Sequence, residues 1–110
     1  MELIVRRLQL KSGRVPFDDW LDSLDCRTQA VVTARITRLR SGNLGDFKSV
    51  GGGVLELRID FGPGLRVYFG RRSRDIVILL AGGDKRTQGR DIKSAQRLWS
   101  EYENENAGLS

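Results

Sequence analysis

The polar residues of Glu56-Leu57-Arg58-Ile59-Asp60 and Leu65-Arg66-Val67-Tyr68 alternate with apolar ones on either side of Gly62-Pro63-Gly64. If Phe61 faces Leu65 across a three-residue turn, Asp60 faces Arg66 and Arg58 faces Tyr68. Glu56, Arg58, Asp60, Arg66 and Tyr68 then share one face of a hairpin, and Leu57, Ile59, Val67 and Phe69 take the other. Cross-strand Cβ atoms lie about 5 Å apart, so two arginines, a tyrosine and two carboxylates form a compact cluster. It is either a salt-bridge ladder on a solvated sheet or an anion site, because the guanidinium fork matches phosphate geometry. A second group follows at Gly82-Gly83-Asp84-Lys85-Arg86-Thr87-Gln88. Backbone amides at a helix start there, with Lys85, Arg86 and Gln88, would also favour an anion. The P-loop spacing is absent, and the plainer alternative is a basic loop after a strand ended by glycines.

Composition narrows the chemistry further. The chain has 110 residues and no histidine, which excludes His-based triads, zincins and His-dependent ribonuclease chemistry. Cys26 is the single cysteine, so neither an internal disulfide nor a Cys-rich metal cage is available. No metal-ligand spacing is present, and no metal or other cofactor is expected. Catalysis, if any, falls to Lys, Arg, Tyr or carboxylates. The basic residues are 15 Arg and 4 Lys, and residues 26–97 carry 15 basic against 6 acidic side chains, a net of +9. A polyanionic partner is the natural first hypothesis for such a segment, against the alternative of a well-solvated surface. No apolar run approaches the roughly 20 residues of a membrane span, and the N-terminus does not read as a signal peptide. A cytoplasmic protein without membrane association is the expectation.

The elements that must position these groups follow from periodicity. Residues 2–9 read as a strand, and Lys11-Ser12-Gly13-Arg14 as a turn. Pro16 opens a helix with Phe17, Trp20, Leu21 and Leu24 on one face, and Asp18 and Asp19 suit its N-terminus. Asp25 can cap a second helix running to about Arg40, with Val32, Ile36 and Leu39 inward and Arg35, Arg38 and Arg40 largely outward. The two helices should form an antiparallel hairpin. A short strand near residues 47–50 precedes the two alternating strands of the Gly62-Pro63-Gly64 hairpin. Residues 76–81 are apolar throughout, as in a strand covered on both faces, and Gly82-Gly83 should end it. A last helix over residues 88–102 stripes Ile92, Ala95, Leu98, Trp99 and Tyr102. Trp20 and Trp99 are expected in the core. The order β-α-α-β-β-β-β-α gives an α+β fold: an N-terminal strand and helical hairpin, then an antiparallel sheet and a C-terminal helix. One domain over residues 1–103 is expected, with a frayed tail over 104–110.

Taken together, Glu56-Leu57-Arg58, Gly64-Leu65-Arg66-Val67-Tyr68-Phe69, Ile78-Leu79-Leu80-Ala81-Gly82-Gly83-Asp84-Lys85-Arg86-Thr87 and Asp91-Ile92 through Ala95 resemble the RelE/ParE toxin superfamily. The resemblance is nearest to its HigB-like addiction module killer protein branch and runs from about Val5 to Tyr102. It implies a RelE/ParE-like fold and the toxin of a type II toxin-antitoxin system. Such a toxin is a metal-independent endoribonuclease that cuts mRNA, commonly on the ribosome, arrests translation and growth, and is neutralised by a helix-turn-helix antitoxin. Matched by motif, the family's active residues fall on Arg58, Arg66 and Lys85, with Tyr68 and Arg86 beside them, and Lys48 and Gln88 join Arg86 as expected RNA contacts. Many relatives carry a His at the position of Ala81 and an aromatic at Gly83, and that His has no counterpart here.

Cutting RNA by internal attack requires deprotonating a 2′-OH, stabilising a phosphorane and protonating the leaving 5′ oxygen. Arginine is a poor base and a good phosphate ligand, so Arg58 and Arg66 are assigned to the phosphate. Lys85 is the candidate base or proton shuttle, with Glu56 or Tyr68 as alternatives. A different class remains open, a non-catalytic ParE-like inhibitor of DNA gyrase using the same arginines. A plain RNA-binding module would have Tyr68 as its one good stacking ring. The antitoxin segment should be acidic and amphipathic, lying over the Arg58, Arg66 and Lys85 face or on the helical hairpin. Oligomeric state is not legible in the sequence.

Overall fold

The computed structural model describes residues 2–106. Its elements run β1 (Ile4–Arg7), α1 (Pro16–Asp22), α2 (Cys26–Arg40), β2 (Phe47–Ser49), β3 (Val54–Ile59), β4 (Leu65–Arg71), β5 (Ile76–Asp84) and α3 (Gln88–Asn106). A single turn of 3-10 helix, Lys85–Thr87, joins β5 to α3. The fold is α+β in the expected element order. One five-stranded sheet has the strand order β1-β5-β4-β3-β2. It is mixed rather than wholly antiparallel, because β1 pairs with β5 in parallel, Ile4 opposite Ile76 through Arg7 opposite Leu79. The intervening helices and strands are the crossover that such a pairing needs.

Helices cover both faces of the sheet. Phe17 of α1 and Val32, Ile36 and Leu39 of α2 pack with Leu57, Ile59, Val67, Phe69, Val77 and Leu79 on one face. Ala95 and Trp99 of α3 pack with Val54, Tyr68, Ile78 and Leu80 on the other. The apolar run in β5 is thereby divided between two cores, as a doubly covered strand requires. Local signals explain the helix starts: Pro16 occupies the first turn of α1, and the Asp25 carboxylate accepts from the Thr28 amide at 2.8 Å to cap α2. Ion pairs Arg7–Asp18 at 2.7 Å and Arg14–Asp19 at 2.9 Å tie α1 to the chain before it.

Four expectations are corrected. First, β5 does not stop at Gly82-Gly83 but runs through both to Asp84. The glycines are needed for close approach: Trp20 lies over the Cα of Gly82, and Asp91 and Thr87 lie over that of Gly83. Second, Arg35 points inward and is only 6% exposed. Its guanidinium donates to the carbonyls of Asn43 and Leu44 at 3.3 and 2.7 Å, satisfying a loop that would otherwise bury bare acceptors. Third, α3 continues to Asn106, so residues 104–106 are helical, while 107–110 lie outside the described residues. Fourth, Trp99 is buried as expected, but Trp20 is only half-buried, packed against the edge of the first core.

Candidate active site

The hairpin register differs from the expected one by two residues. Ile59, not Phe61, faces Leu65, so Arg58 stands opposite Arg66 and Glu56 opposite Tyr68. Gly62 and Gly64 take positive φ of 56° and 85°, and Gly64 donates to the Phe61 carbonyl, which makes a five-residue loop of 60–64. Asp60 and Phe61 are thereby taken out of the ladder. A shift of two preserves which face each side chain occupies, so Glu56, Arg58, Arg66 and Tyr68 still share one.

That face is not a solvated ladder, because α3 covers part of it. Glu56 and Tyr68 have no exposed surface at all. The Glu56 carboxylate accepts from Gln88 Nε2 at 2.8 Å, from the Tyr68 hydroxyl at 3.1 Å and from Arg58 Nε at 3.3 Å. Arg66 Nε lies 3.9 Å from the same carboxylate. Burial alone would push the Glu56 carboxyl up, but hydrogen bonds from Gln88, Arg58 and Tyr68, with the Arg66 charge, hold it below the usual carboxylate value. Burial first, then the charge and hydrogen bond of Glu56, push the Tyr68 phenol well above its ordinary value. Glu56 is thus a fixed buried anion and Tyr68 a fixed neutral donor.

Above this anchor an open cleft of about 440 Å³ is lined by Arg58, Arg66, Lys85, Asp46, Asp60 and the 62–64 turn. Arg58 and Arg66 face each other with Cβ atoms about 5 Å apart. Like charges so placed repel, and the buried Glu56 beneath them offsets part of the cost. The Arg58 side chain is 36% exposed and that of Arg66 12%. Arg66 donates one outer nitrogen to the Leu65 carbonyl at 3.1 Å, while its buried Nε has no hydrogen-bond partner. Lys85 is exposed, and its amide donates to the Gly64 carbonyl at 2.9 Å, which brings the start of the 3-10 turn against the hairpin loop.

Of the residues singled out in the sequence, the structure brings Arg58, Arg66 and Lys85 together around one cleft. Tyr68 and Gln88 lie on the Glu56 carboxylate. Tyr68 offers no ring face to a base, so the stacking role is removed. Lys48 is exposed on β2 opposite Glu56, and Arg86 turns to Asp84 at 3.0 Å. The backbone anion site expected at Gly82–Gln88 is absent, because the Asp84 carboxylate caps the Arg86 amide at 2.8 Å and Gly82-Gly83 is strand. Glu56 is the centre that sequence reasoning weighed only as an alternative base. Its signal was a carboxylate flanked at two residues' distance by a cation on a strand, which alternation alone cannot assign to core or solvent. Among the described residues no three His, Cys, Asp or Glu side chains converge as metal ligands, and no helix is long and apolar enough to cross a membrane.

Two comparisons place the chain among known proteins. A Haemophilus influenzae protein described only as uncharacterized is 50% identical over 95 residues, spanning 86% of this chain and 95% of that protein. The model of the family Phage derived protein Gp49-like (DUF891) matches residues 19–100, which include α2, the whole β2–β5 meander, the cleft and most of α3. The chain belongs to the phage-derived Gp49-like family.

Proposed function

We propose that this protein is the toxin of a type II toxin-antitoxin system and acts as a metal-independent endoribonuclease on mRNA engaged by the ribosome in the cytoplasm. The observation that carries the reading is the facing pair Arg58 and Arg66, held by a buried Glu56 at the base of an open cleft that Lys85 also lines. The resemblance to RelE/ParE toxins over the same residues supports it. The two arginines suit a phosphodiester and the charge that grows on it. Donors already fixed in place stabilise a phosphorane without reorganising at the moment of reaction. In the proposed reaction the 2′-oxygen attacks phosphorus, its proton passes to water, and the bond to the 5′ oxygen breaks. Lys85 donates its ammonium proton to that oxygen and is reprotonated by solvent, leaving a 2′,3′-cyclic phosphate and a 5′-OH.

Glu56 and Tyr68, considered as bases from sequence, are assigned to positioning. One is a buried carboxylate that accepts three hydrogen bonds and the other a phenol held protonated, and neither lines the cleft. With no strong base against the substrate, the enzyme depends on external orientation of its RNA, which is the contribution expected of the ribosome. The partner that silences it is a helix-turn-helix antitoxin with an acidic segment. The test is brief induction in a bacterial host with pulse labelling of protein and DNA synthesis. Protein synthesis should stop first. Arrest of DNA replication with intact mRNA would instead assign the fold to gyrase inhibition.

A further inference from the structure

The helix that supplies Gln88 carries its charges the wrong way round for its own stability. A helix gains from anions at its N-terminus and cations at its C-terminus. In α3 the N-terminal half bears Arg90, Lys93 and Arg97, and the C-terminal half bears Glu101, Glu103 and Glu105, with no basic residue in the last turn. The one acidic residue of its first turn, Asp91, is turned inward to the Thr87 hydroxyl and lies over Gly83. Arg90, Lys93 and Arg97 are all exposed and recur at i, i+3 and i+7, on the side opposite Ala95 and Trp99. Lys85, which lines the cleft, and Arg86 precede the stripe in the 3-10 turn. Like charges three and four residues apart on a helix repel. Among the described residues, Arg86 and Arg90 have an acidic partner within 4 Å, Asp84 at 3.0 Å and Asp91 at 3.9 Å, whereas Lys93 and Arg97 have none.

We infer that this outer stripe of α3 is a track for the sugar-phosphate backbone of the RNA strand leaving the Arg58, Arg66 and Lys85 cleft. The inference rests on the RNA-cutting reading proposed above and adds the path of the substrate. From Arg90 to Lys93 the helix rises about 4.5 Å and from Lys93 to Arg97 about 6 Å, at 1.5 Å per residue. Such steps let successive cations meet separate phosphates on one strand. The side chains are long and exposed, and among the described residues no carboxylate pairs with Lys93, so they suit backbone contact without base readout. The row stops where Glu101 begins the acidic half, which limits the track to about three turns of helix beyond the cleft.

The experiment measures binding of fluorescein-labelled single-stranded RNAs, a tetramer and a dodecamer, to the purified full chain over a range of salt. The variants are Arg90→Glu/Lys93→Glu/Arg97→Glu and, matched in charge, Arg71→Glu/Arg72→Glu/Arg74→Glu, exposed residues at the end of β4 and in the turn that follows it. The track predicts that the α3 variant loses tenfold or more in dodecamer affinity, with a much smaller loss for the tetramer. Its salt slope for the dodecamer should fall by about 2, the value for three single-strand phosphate contacts. The turn variant should change both RNAs little, and circular dichroism should show both variants folded. Equal losses in the two variants would reduce the effect to net charge and overturn the track. Unchanged dodecamer binding in the α3 variant, with loss of binding to a poly-glutamate peptide, would assign the stripe to an acidic protein and also overturn it. If the wild-type chain binds the dodecamer and Arg58→Ala/Arg66→Ala does not, the cleft reading stands whatever α3 does. If wild type binds neither RNA, the track falls, while the cleft reading is decided by mapping RNA ends after induction.

Discussion

In the proposed reaction Arg58 and Arg66 are the phosphate ligands, and both also bear on the buried Glu56. Arg58 donates to buried Glu56 at 3.3 Å, and Arg66 is mostly buried beside it. Each Arg→Ala change should cost on the order of 100-fold in cleavage, the scale of one lost oxyanion donor. Each should also cost about 1–3 kcal/mol in stability through the hydrogen bond or charge it removes from Glu56. Growth arrest on induction and urea unfolding of the purified variants read the two effects separately. Glu56 itself makes a pH prediction. Its carboxyl is depressed in the folded state relative to about 4.3 in an unfolded chain. Its contribution is therefore complete above that value and is lost as pH falls through the folded one. Urea midpoints taken from pH 7 to pH 3 should fall on acidification in the wild type, and less steeply in Glu56→Gln. Identical acid limbs would remove the buried-anion account. Tyr68 has the opposite sign: its raised phenol adds stability below about pH 10 that is lost as pH rises above it, a loss that Tyr68→Phe should abolish in alkaline urea titrations.

Among the elements, α3 bears on both core and site, and glycines set how closely it lies on the sheet. Trp99 stacks on Tyr102, with ring centroids 5.3 Å apart, and sits over Gly70 of β4, where an added Cβ would meet its ring at 2.5 Å. Gly70→Ala should cost about 1–3 kcal/mol by overpacking. Trp99→Ala, which opens a cavity instead, should cost about 3–5 kcal/mol. Chemical denaturation checks both, and acrylamide should quench half-buried Trp20 more readily than Trp99. The elements themselves were legible because local signals agree with the fold: Pro16 and Asp25 open helices, alternation marks β3 and β4, and an unbroken apolar run marks β5. What escaped the sequence was non-local. Nothing near residues 4–7 says that they pair in parallel with residues 76–79. Glycine also has two readings, and at Gly82-Gly83 close approach of Trp20 and Asp91 won over strand termination. Of the site, the shared face of Glu56, Arg58, Arg66 and Tyr68 was legible from alternation. The burial of Glu56 under Gln88 was not, because it depends on where α3 lands.

At the scale of the whole molecule, the net of +9 over residues 26–97 sets how partners arrive. An acidic antitoxin segment should associate with a rate that falls as salt shortens the Debye length below about 10 Å, as stopped-flow mixing can measure. A rate that ignores salt would confine the binding surface to the apolar parts of the helical hairpin. The central claim concerns the cleft, and the chemistry of the RNA ends tests it most directly. Total RNA is taken minutes after induction of the wild type and of Arg58→Ala/Arg66→Ala, and its 5′ ends are mapped by ligation that distinguishes hydroxyl from phosphate. New 5′-OH ends inside coding regions of mRNA, present with the wild type and missing with the double variant, are the predicted result. Growth arrest with no new 5′-OH ends, or ends that persist in the double variant, would contradict the assignment of cleavage to Arg58 and Arg66.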